Sequence, residues 1–127
     1  REAGAALSAR VESHDRAFAL TRLATAAGPL DLPLVDRPVG SSLRILVSAR
    51  DVTLSLQRPE QTSALNILAG TVAEIGPLSA ADPIVEVRLD CAGANLVVRL
   101  TRRSLTELAL RPGLPVFAAV KSVALLE

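Results

Sequence analysis

Short apolar runs separated by turn residues recur along the first half of the chain. Runs rich in Leu, Val and Ile at such close spacing are typical of the strands of a small sheet or barrel. Gly28-Pro29 and Arg37–Gly40 lie between them, and because proline fixes one backbone angle while glycine permits unusual ones, we predict turns at both. The predicted strands of this half are Leu7–Val11, Phe18–Leu23, Leu30–Val35, Leu43–Val47 and Val52–Leu56.

The apolar pattern is interrupted near the middle of the chain. Gln57–Ser63 has no strong apolar periodicity and contains Pro59, which disfavours a continuing strand. We therefore predict two subdomains, residues 1–57 and residues 58–127, with the second closing on the first. The strands predicted for the second half are Ile67–Ile75, Ile84–Leu89, Leu96–Leu100 and Val116–Leu126, with a helical turn at Ser104–Leu110.

The two halves end in similar sequences. Gly40–Val47 and Gly113–Val120 each run from a glycine through an apolar strand to a valine, and Val52–Leu54 then resembles Val123–Leu125. Such strands are common, but both halves have the pattern at the same relative point, which indicates an internal duplication. Because halves of about 60 residues bury too little surface to be stable alone, we expect them to pack together or against another copy, and we expect oligomerisation.

Composition narrows the class of protein. Hydrophobic residues make up 50% of the chain and aromatic residues 2%, so the core must consist of Val, Leu, Ile and Ala, as in a compact β-rich fold. The net charge of +1 gives no long-range field for nucleic acid or an anionic membrane. Cys91 is the single cysteine and has no partner for a disulfide, which indicates a reducing cytoplasm.

The sequence lacks the residue patterns of several kinds of catalytic and cofactor-binding site. We find no glycine-rich phosphate loop, no paired histidine ligands and no cysteine beside a plausible base, so we expect neither an enzyme nor a cofactor. The aspartates, Asp51 among them, are scattered at strand ends without metal-ligand spacing, and we interpret them as turn formers and surface charges. His14, the only histidine, is interpreted as a solvated turn residue.

Three hydroxyl-rich segments differ from this background: Thr62–Gly70 at the entrance to a strand, Thr101–Ser104 before the helical turn, and Val120–Val123, where a cation and a hydroxyl interrupt an apolar stretch. Each also has a purely structural interpretation. Ser63 and Asn66 are suited to capping nearby backbone, Thr101 to capping a helix, and Lys121 to blocking aggregation at a sheet edge.

In this order, the three segments resemble the Mop, or molybdenum-pterin-binding-like, domains, which are also classed with the TOBE domains. Thr62–Gly70 is similar to the Ser-Ala-Arg-Asn-x-x-x-Gly start of that family, and Thr101–Leu105 and Val120–Ser122 follow it. The first half resembles the preceding segment in the ATP-binding subunit of molybdate ABC transporters, notably at Leu20–Leu23 and Ser48–Leu54. The resemblance covers nearly the whole chain.

The resemblance implies an all-β fold with one short helix, built as tandem OB-like β-barrel subdomains of the Mop/TOBE type, with oxyanions lying between barrels at subunit interfaces. The implied ligand is molybdate or tungstate. Leu65 departs from the family, which often has Arg there, so side-chain charge would rest on Lys121. The oxyanion-binding residues that the resemblance implies are Ser63, the backbone of Ala64 and Leu65, Thr101, Ser104, Lys121 and Ser122.

The implied role is a cytoplasmic regulatory domain of a molybdate importer, peripheral to the inner membrane, that senses internal molybdate at a dimer interface. Its implied partners are a second copy of the chain, an upstream ABC ATPase domain and a membrane permease subunit, with no nucleic acid. The start at Arg1 agrees with a piece of a longer protein. Two alternatives stay open: a stand-alone molybdate storage protein, and an OB-type nucleic-acid-binding domain, for which only Phe18 and Phe117 offer stacking surfaces.

Overall fold

Strands dominate the computed structural model, which describes residues 3–126 of the chain. Alternating buried and exposed residues, as in Gly4–Asp15, give one apolar face to each strand. A short 3₁₀ turn, Ala49–Asp51, precedes β5. The elements are β1 Gly4–Asp15, β2 Leu20–Thr25, β3 Gly28–Pro33, β4 Ser42–Ser48, β5 Val52–Ser55, β6 Asn66–Ile75, β7 Ile84–Cys91, β8 Ala94–Thr101, α1 Arg102–Glu107, β9 Pro115–Val120 and β10 Ala124–Leu125.

The strands form two antiparallel five-stranded sheets, and each sheet includes one strand from the other half of the chain. The first sheet has the order β10-β4-β1-β2-β3 and the second has the order β5-β9-β6-β7-β8. Strand β5 therefore crosses into the second sheet, and β10 crosses back into the first. The predicted boundary at residues 57 and 58 falls in the loop between β5 and β6, and the division into subdomains stays a prediction.

Equivalent details recur in the two sheets. Gly40 donates its N–H to the carbonyl of Val11 at 2.8 Å, and Gly113 donates to the carbonyl of Val72 at 2.7 Å. The pairing register shifts directly after Val11 in β1 and directly after Val72 in β6. The same strand order, bulge position and hydrogen bond in both sheets support the internal duplication that the sequence indicated.

A single hydrophobic core joins the two sheets. The buried side chains of both halves form one contiguous cluster, so the halves pack on each other as expected. The core is aliphatic, in agreement with the composition. Its largest fully buried side chains are Leu23, Leu30, Ile45, Leu89, Leu96, Val11, Val47, Val72, Val87, Val98, Val116 and Val120.

Two details of the first half differ from the sequence prediction. Phe18 was placed in a strand, but it lies in the turn before β2 with 77% of its surface exposed. The turn predicted at Gly28-Pro29 lies instead at residues 26 and 27, and β3 begins at Gly28. The pairing of β2 with β3 explains both differences, because it begins at Leu20 and ends where Thr25 pairs with Gly28, which leaves residues 26 and 27 as the turn.

A buried asparagine connects the second sheet to the first. The Asn66 side chain, in the first residue of β6, accepts a hydrogen bond from the Asp31 N–H at 2.7 Å and donates one to the Asp31 carbonyl at 2.9 Å. Asp31 lies in β3, which has no strand partner on that side. The local capping role predicted for Asn66 was therefore wrong, because its amide satisfies backbone groups 35 residues away.

Replacement of Asn66 should therefore weaken the fold. Asn66→Ala leaves the N–H and carbonyl of Asp31 without partners, and we expect the free energy of unfolding to fall by about 1–3 kcal/mol in urea titrations. Asn95→Ala, which removes an exposed asparagine that accepts from Arg88, serves as the control and should cost less than about 0.5 kcal/mol. Equal losses in the two variants would contradict a connecting role for Asn66.

The only cysteine lies in the core at the end of β7. Cys91 has none of its surface exposed. Burial first, and the nearby charge of Asp90 second, raise the pKa of its thiol to about 11 from an ordinary value of 9.0. The thiol is therefore protonated and unreactive in the folded chain at neutral pH.

Because the pKa of Cys91 is raised, the free energy of unfolding depends on pH in the alkaline range. The unfolded chain loses the Cys91 proton at a lower pH than the folded chain, so stability is fully present below pH 9 and falls as pH rises towards 11. Between pH 9 and pH 11, we expect the free energy of unfolding of wild type to fall by about 2 kcal/mol more than that of Cys91→Ala. The chain has no Tyr and one Lys, so few other groups titrate there. Parallel pH profiles in chemical unfolding would contradict the expectation.

Candidate functional site

The first hydroxyl-rich segment forms the loop that leads into β6. Thr62 closes a small turn, since its Oγ1 accepts a hydrogen bond from the Ala64 N–H at 3.2 Å. Ser63 is exposed, and Leu65 has 63% of its surface exposed. Ser63 and Ala64 have small side chains, so solvent can approach the backbone of this loop there.

The third hydroxyl-rich segment, Val120–Val123, connects β9 to β10 and is not a continuous strand. β9 ends at Val120 and β10 begins at Ala124, so the predicted strand Val116–Leu126 is broken at Lys121. Val120 and Val123 are buried, whereas Lys121 and Ser122 between them are exposed. The break removes the alternation that would have turned one of these two polar side chains inward.

Pairing in the second sheet brings the two segments together. Asn66, the first residue of β6, lies opposite Val120, the last residue of β9. Because these strands are antiparallel, the residues before Asn66 and those after Val120 extend from the same end of the sheet. We call Ser63, Ala64, Leu65, Lys121 and Ser122 the entrance cluster.

An aspartate from the first half also reaches this cluster. Asp51 accepts a hydrogen bond from the Lys121 N–H through its backbone carbonyl at 2.8 Å. Its carboxylate accepts one from the Ser122 hydroxyl at 2.7 Å. The prediction of Asp51 as a turn former or surface charge did not include this contact. The available signal was the match of Val52–Leu54 to Val123–Leu125, which makes Asp51 and Ser122 equivalent positions.

The charge of the cluster comes from one ammonium and one carboxylate. Lys121 is the only lysine of the chain and is exposed. The binding residues that the resemblance implied are all donors, but the Asp51 carboxylate beside them is an acceptor, and its hydrogen bond from Ser122 occupies one of those donors. Any anion bound here would meet both charges.

Thr101 and Ser104 form a separate pair at the end of β8. The Thr101 Oγ1 accepts from the Ser104 N–H at 3.0 Å and bonds the Ser104 hydroxyl at 3.0 Å, so Thr101 caps α1 as predicted. The helix covers Arg102–Glu107 instead of Ser104–Leu110, because the cap sets its start. Within residues 3–126, no hydrogen bond connects this pair to the entrance cluster.

A shallow concavity lies beside this pair, lined by Pro83, Thr101, Arg102, Arg103, Thr106 and Glu107. No residue of the entrance cluster lines it. Five of the seven predicted site residues therefore lie on two segments that leave the same end of the second sheet, and the other two, Thr101 and Ser104, lie at the start of the helix.

His14 lies outside both groups. It is half-buried near the end of β1, with Nδ1 2.9 Å from the Thr21 hydroxyl and Nε2 2.7 Å from the carbonyl of Arg37. A carbonyl only accepts, so Nε2 carries a proton. The interpretation of His14 as a solvated turn residue was wrong, because it connects β1 to the loop before β4.

Among the described residues, no group of three or more His, Cys, Asp or Glu side chains is arranged to hold a metal ion. None of the helical residues in the described part of the chain forms a segment with the length and apolar character of a membrane span.

The capping role of Thr101 can be separated from any ligand role. Thr101→Ala removes the acceptor for the Ser104 N–H, and we expect the free energy of unfolding to fall by about 1 kcal/mol. Thr101→Ser keeps the hydroxyl and should retain most of the stability in the same urea titration. If serine were as destabilising as alanine, the methyl group and not the cap would be the stabilising feature.

The second half of the chain matches a known protein family. The TOBE domain matches residues 62–126, which is just over half of the chain. This region includes the entrance cluster together with Thr101 and Ser104.

Relatives match over nearly all of this chain. The molybdenum import ATP-binding protein ModC of Mesorhizobium japonicum is 43% identical over 122 residues, covering 96% of the chain and 32% of that protein. ModC of Aromatoleum aromaticum is 47% identical over 121 residues, covering 94% of the chain and 31% of that protein. The chain thus spans about a third of the length of these relatives. Their identity confirms the resemblance that the sequence motifs indicated.

A solved structure shares the fold. The cytoplasmic molybdate-binding protein ModG, in a form with molybdate bound, superposes with a TM-score of 0.77 at 21% sequence identity. The match covers 95% of this chain and 92% of that one. It confirms the expected all-β fold of the OB-like type with one short helix.

Proposed function

The chain belongs to the TOBE domain family, and from that premise we propose that it is a regulatory domain that binds molybdate or tungstate as a tetrahedral oxyanion. Two observations outside the site support this. The relatives at 43–47% identity are molybdenum import ATP-binding proteins, and the solved structure with the same fold is a molybdate-binding protein. The ligand itself acts as the signal, and the chain needs no cofactor.

The observation that carries the proposal is the pairing of Asn66 with Val120, which brings the loop before β6 to the residues after β9. We assign the anion to the entrance cluster. The donors are the hydroxyls of Ser63 and Ser122, the N–H groups of Ala64 and Leu65 and the ammonium of Lys121. To bind an anion, the Ala64 N–H would exchange its bond to Thr62, and the Ser122 hydroxyl its bond to Asp51. Hydrogen bonds to a charged acceptor contribute about 1.5–3 kcal/mol each, so a few suffice for micromolar binding after desolvation costs.

We extend the assignment to Thr101 and Ser104 through a second copy of the chain. Within the described residues of one chain, the Thr101 hydroxyl caps α1 and bonds the Ser104 hydroxyl, and no hydrogen bond connects either residue to the entrance cluster. A homodimer that places α1 of one copy against the entrance cluster of the other would combine the seven residues. Anion binding would then stabilise one arrangement of the two copies, and a coupling of about 1–3 kcal/mol is typical of such regulation.

The donor set suits the chemistry of the proposed ligand. Molybdate and tungstate are fully deprotonated dianions at neutral pH, so they accept hydrogen bonds and offer none. Hydrogen phosphate carries a proton, which needs an acceptor and costs about 1–3 kcal/mol if it finds none. Sulfate is also a deprotonated tetrahedral dianion, so the size of the site must distinguish it.

In the full-length protein, we propose that the domain follows an ABC ATPase domain and acts with a membrane permease subunit on the cytoplasmic side of the inner membrane. The support is the length of the relatives, of which the chain spans about a third. ATP hydrolysis belongs to that other part, and this chain is not itself an enzyme. Molybdate bound between two regulatory domains would slow import when the cytoplasm is replete.

A second candidate is a stand-alone molybdate storage or binding protein. It is favoured by the match to the molybdate-binding neighbour, which covers nearly all of both chains. Transport measurements on the full-length protein distinguish the two functions, since only a regulatory domain makes import sensitive to internal molybdate. Nucleic-acid binding has less support, because Phe18 and Phe117 are the only aromatic residues and the net charge is +1.

Calorimetric titration with molybdate tests the site. We expect micromolar or tighter binding by wild type, a loss of at least about tenfold in Lys121→Met, and a smaller loss in Ser63→Ala, because one removes a charged donor and the other a neutral one. Arg111→Met makes the same change of net charge in an exposed turn and should bind as wild type does. Unchanged binding in both site variants would remove the assignment to the entrance cluster.

A further inference from the structure

The contact of Asp51 with the β9–β10 connection has a consequence for ligand binding. The Ser122 hydroxyl donates to the Asp51 carboxylate at 2.7 Å. A serine has a single hydroxyl proton and can direct it to one acceptor at a time. The carboxylate and a bound anion would therefore compete for the same donor.

Backbone contacts keep Asp51 at this position. Its carbonyl accepts from the Lys121 N–H at 2.8 Å, and the next residue, Val52, pairs with Val120 at the end of β9. The backbone of Asp51 is therefore held beside the β9–β10 connection. Its carboxylate places a negative charge next to the Ser122 hydroxyl, one of the proposed anion donors.

We propose that Asp51 determines the affinity and selectivity of the oxyanion site, an inference that rests on the proposed function. In the ligand-free chain, the Asp51 carboxylate accepts the hydrogen bond from the Ser122 hydroxyl that a bound anion would otherwise accept. A deprotonated dianion must displace it and also meets its negative charge, so Asp51 weakens binding and raises the ligand concentration at which the domain responds. Hydrogen phosphate can donate its own proton to Asp51, so the carboxylate penalises it less.

Asp51→Asn is the informative substitution. It keeps the shape of the side chain, the backbone carbonyl that Lys121 uses and an oxygen that can accept from Ser122, while it removes the charge and replaces the other carboxylate oxygen with an NH2 donor. We expect molybdate binding to tighten by about tenfold, since a unit charge acts on a dianion at short range. Phosphate binding should tighten less than molybdate binding, and the melting temperature should stay equal or fall.

The opposite signs of affinity and stability separate this role from a purely structural one. If Asp51 only held the connection in place, Asp51→Asn would weaken molybdate binding together with the melting temperature. Asp36→Asn, which removes an exposed carboxylate in the loop between β3 and β4, makes the same change of net charge and should leave molybdate affinity within twofold of wild type. Ser122→Ala should keep most of the gain from Asp51→Asn, because that gain comes from removal of the charge and asparagine still accepts from Ser122.

Calorimetry of these variants with molybdate, sulfate and phosphate at constant ionic strength decides the matter. Weaker molybdate binding in Asp51→Asn, or an equal gain in Asp36→Asn, would overturn the inference. If wild type bound no anion but Asp51→Asn did, the inference would stand and the proposed function would fail for the natural chain. If neither bound any of the three anions, both would be wrong.

Discussion

The exchange of one strand between the two halves is the constraint on which the rest of the structure depends. Strand β5 completes the second sheet and β10 completes the first, so neither sheet has its five strands without the other half. Halves of about 60 residues bury too little surface to be stable separately, and the exchange merges their apolar faces into one core. The buried amide of Asn66, bonded to the backbone of β3, adds a polar connection between the same two sheets.

The exchange also accounts for the position of the candidate site. A chain that leaves one sheet for another must break its strand, and after β9 it does so at Lys121 and Ser122. Residues at such a break are released from strand pairing, so their polar side chains reach solvent while Val120 and Val123 stay in the core. The other crossing passes through Asp51, and the two crossings meet at the hydrogen bonds from Lys121 and Ser122 to this aspartate.

In the proposed function, the candidate site lies where the two halves meet, next to the connection between the sheets. Any change at Lys121 or Ser122 acts on the connection between β9 and β10, and so on the pairing that joins the two sheets. Thr101 and Ser104 belong to a different surface, where they cap a short helix. In the proposed function, binding would join these surfaces across two copies, so that the ligand controls an arrangement of subunits and not only the shape of one chain.

The sequence by itself determined the strand-rich class, the aliphatic core, the duplicated pattern, the cap at Thr101 and the segments that form the candidate site. Those features follow from local periodicity, turn chemistry and motif order, which neighbouring residues specify. Only the tertiary structure decided the exchange of β5 and β10, the break at Lys121, the reach of Asn66 to Asp31 and the contact of Asp51 with Ser122. The strand exchange and the two side-chain contacts join residues that are far apart in the chain, by 71 positions for Asp51 and Ser122. Such contacts depend on the register in which the strands pair, and local sequence patterns do not specify that register.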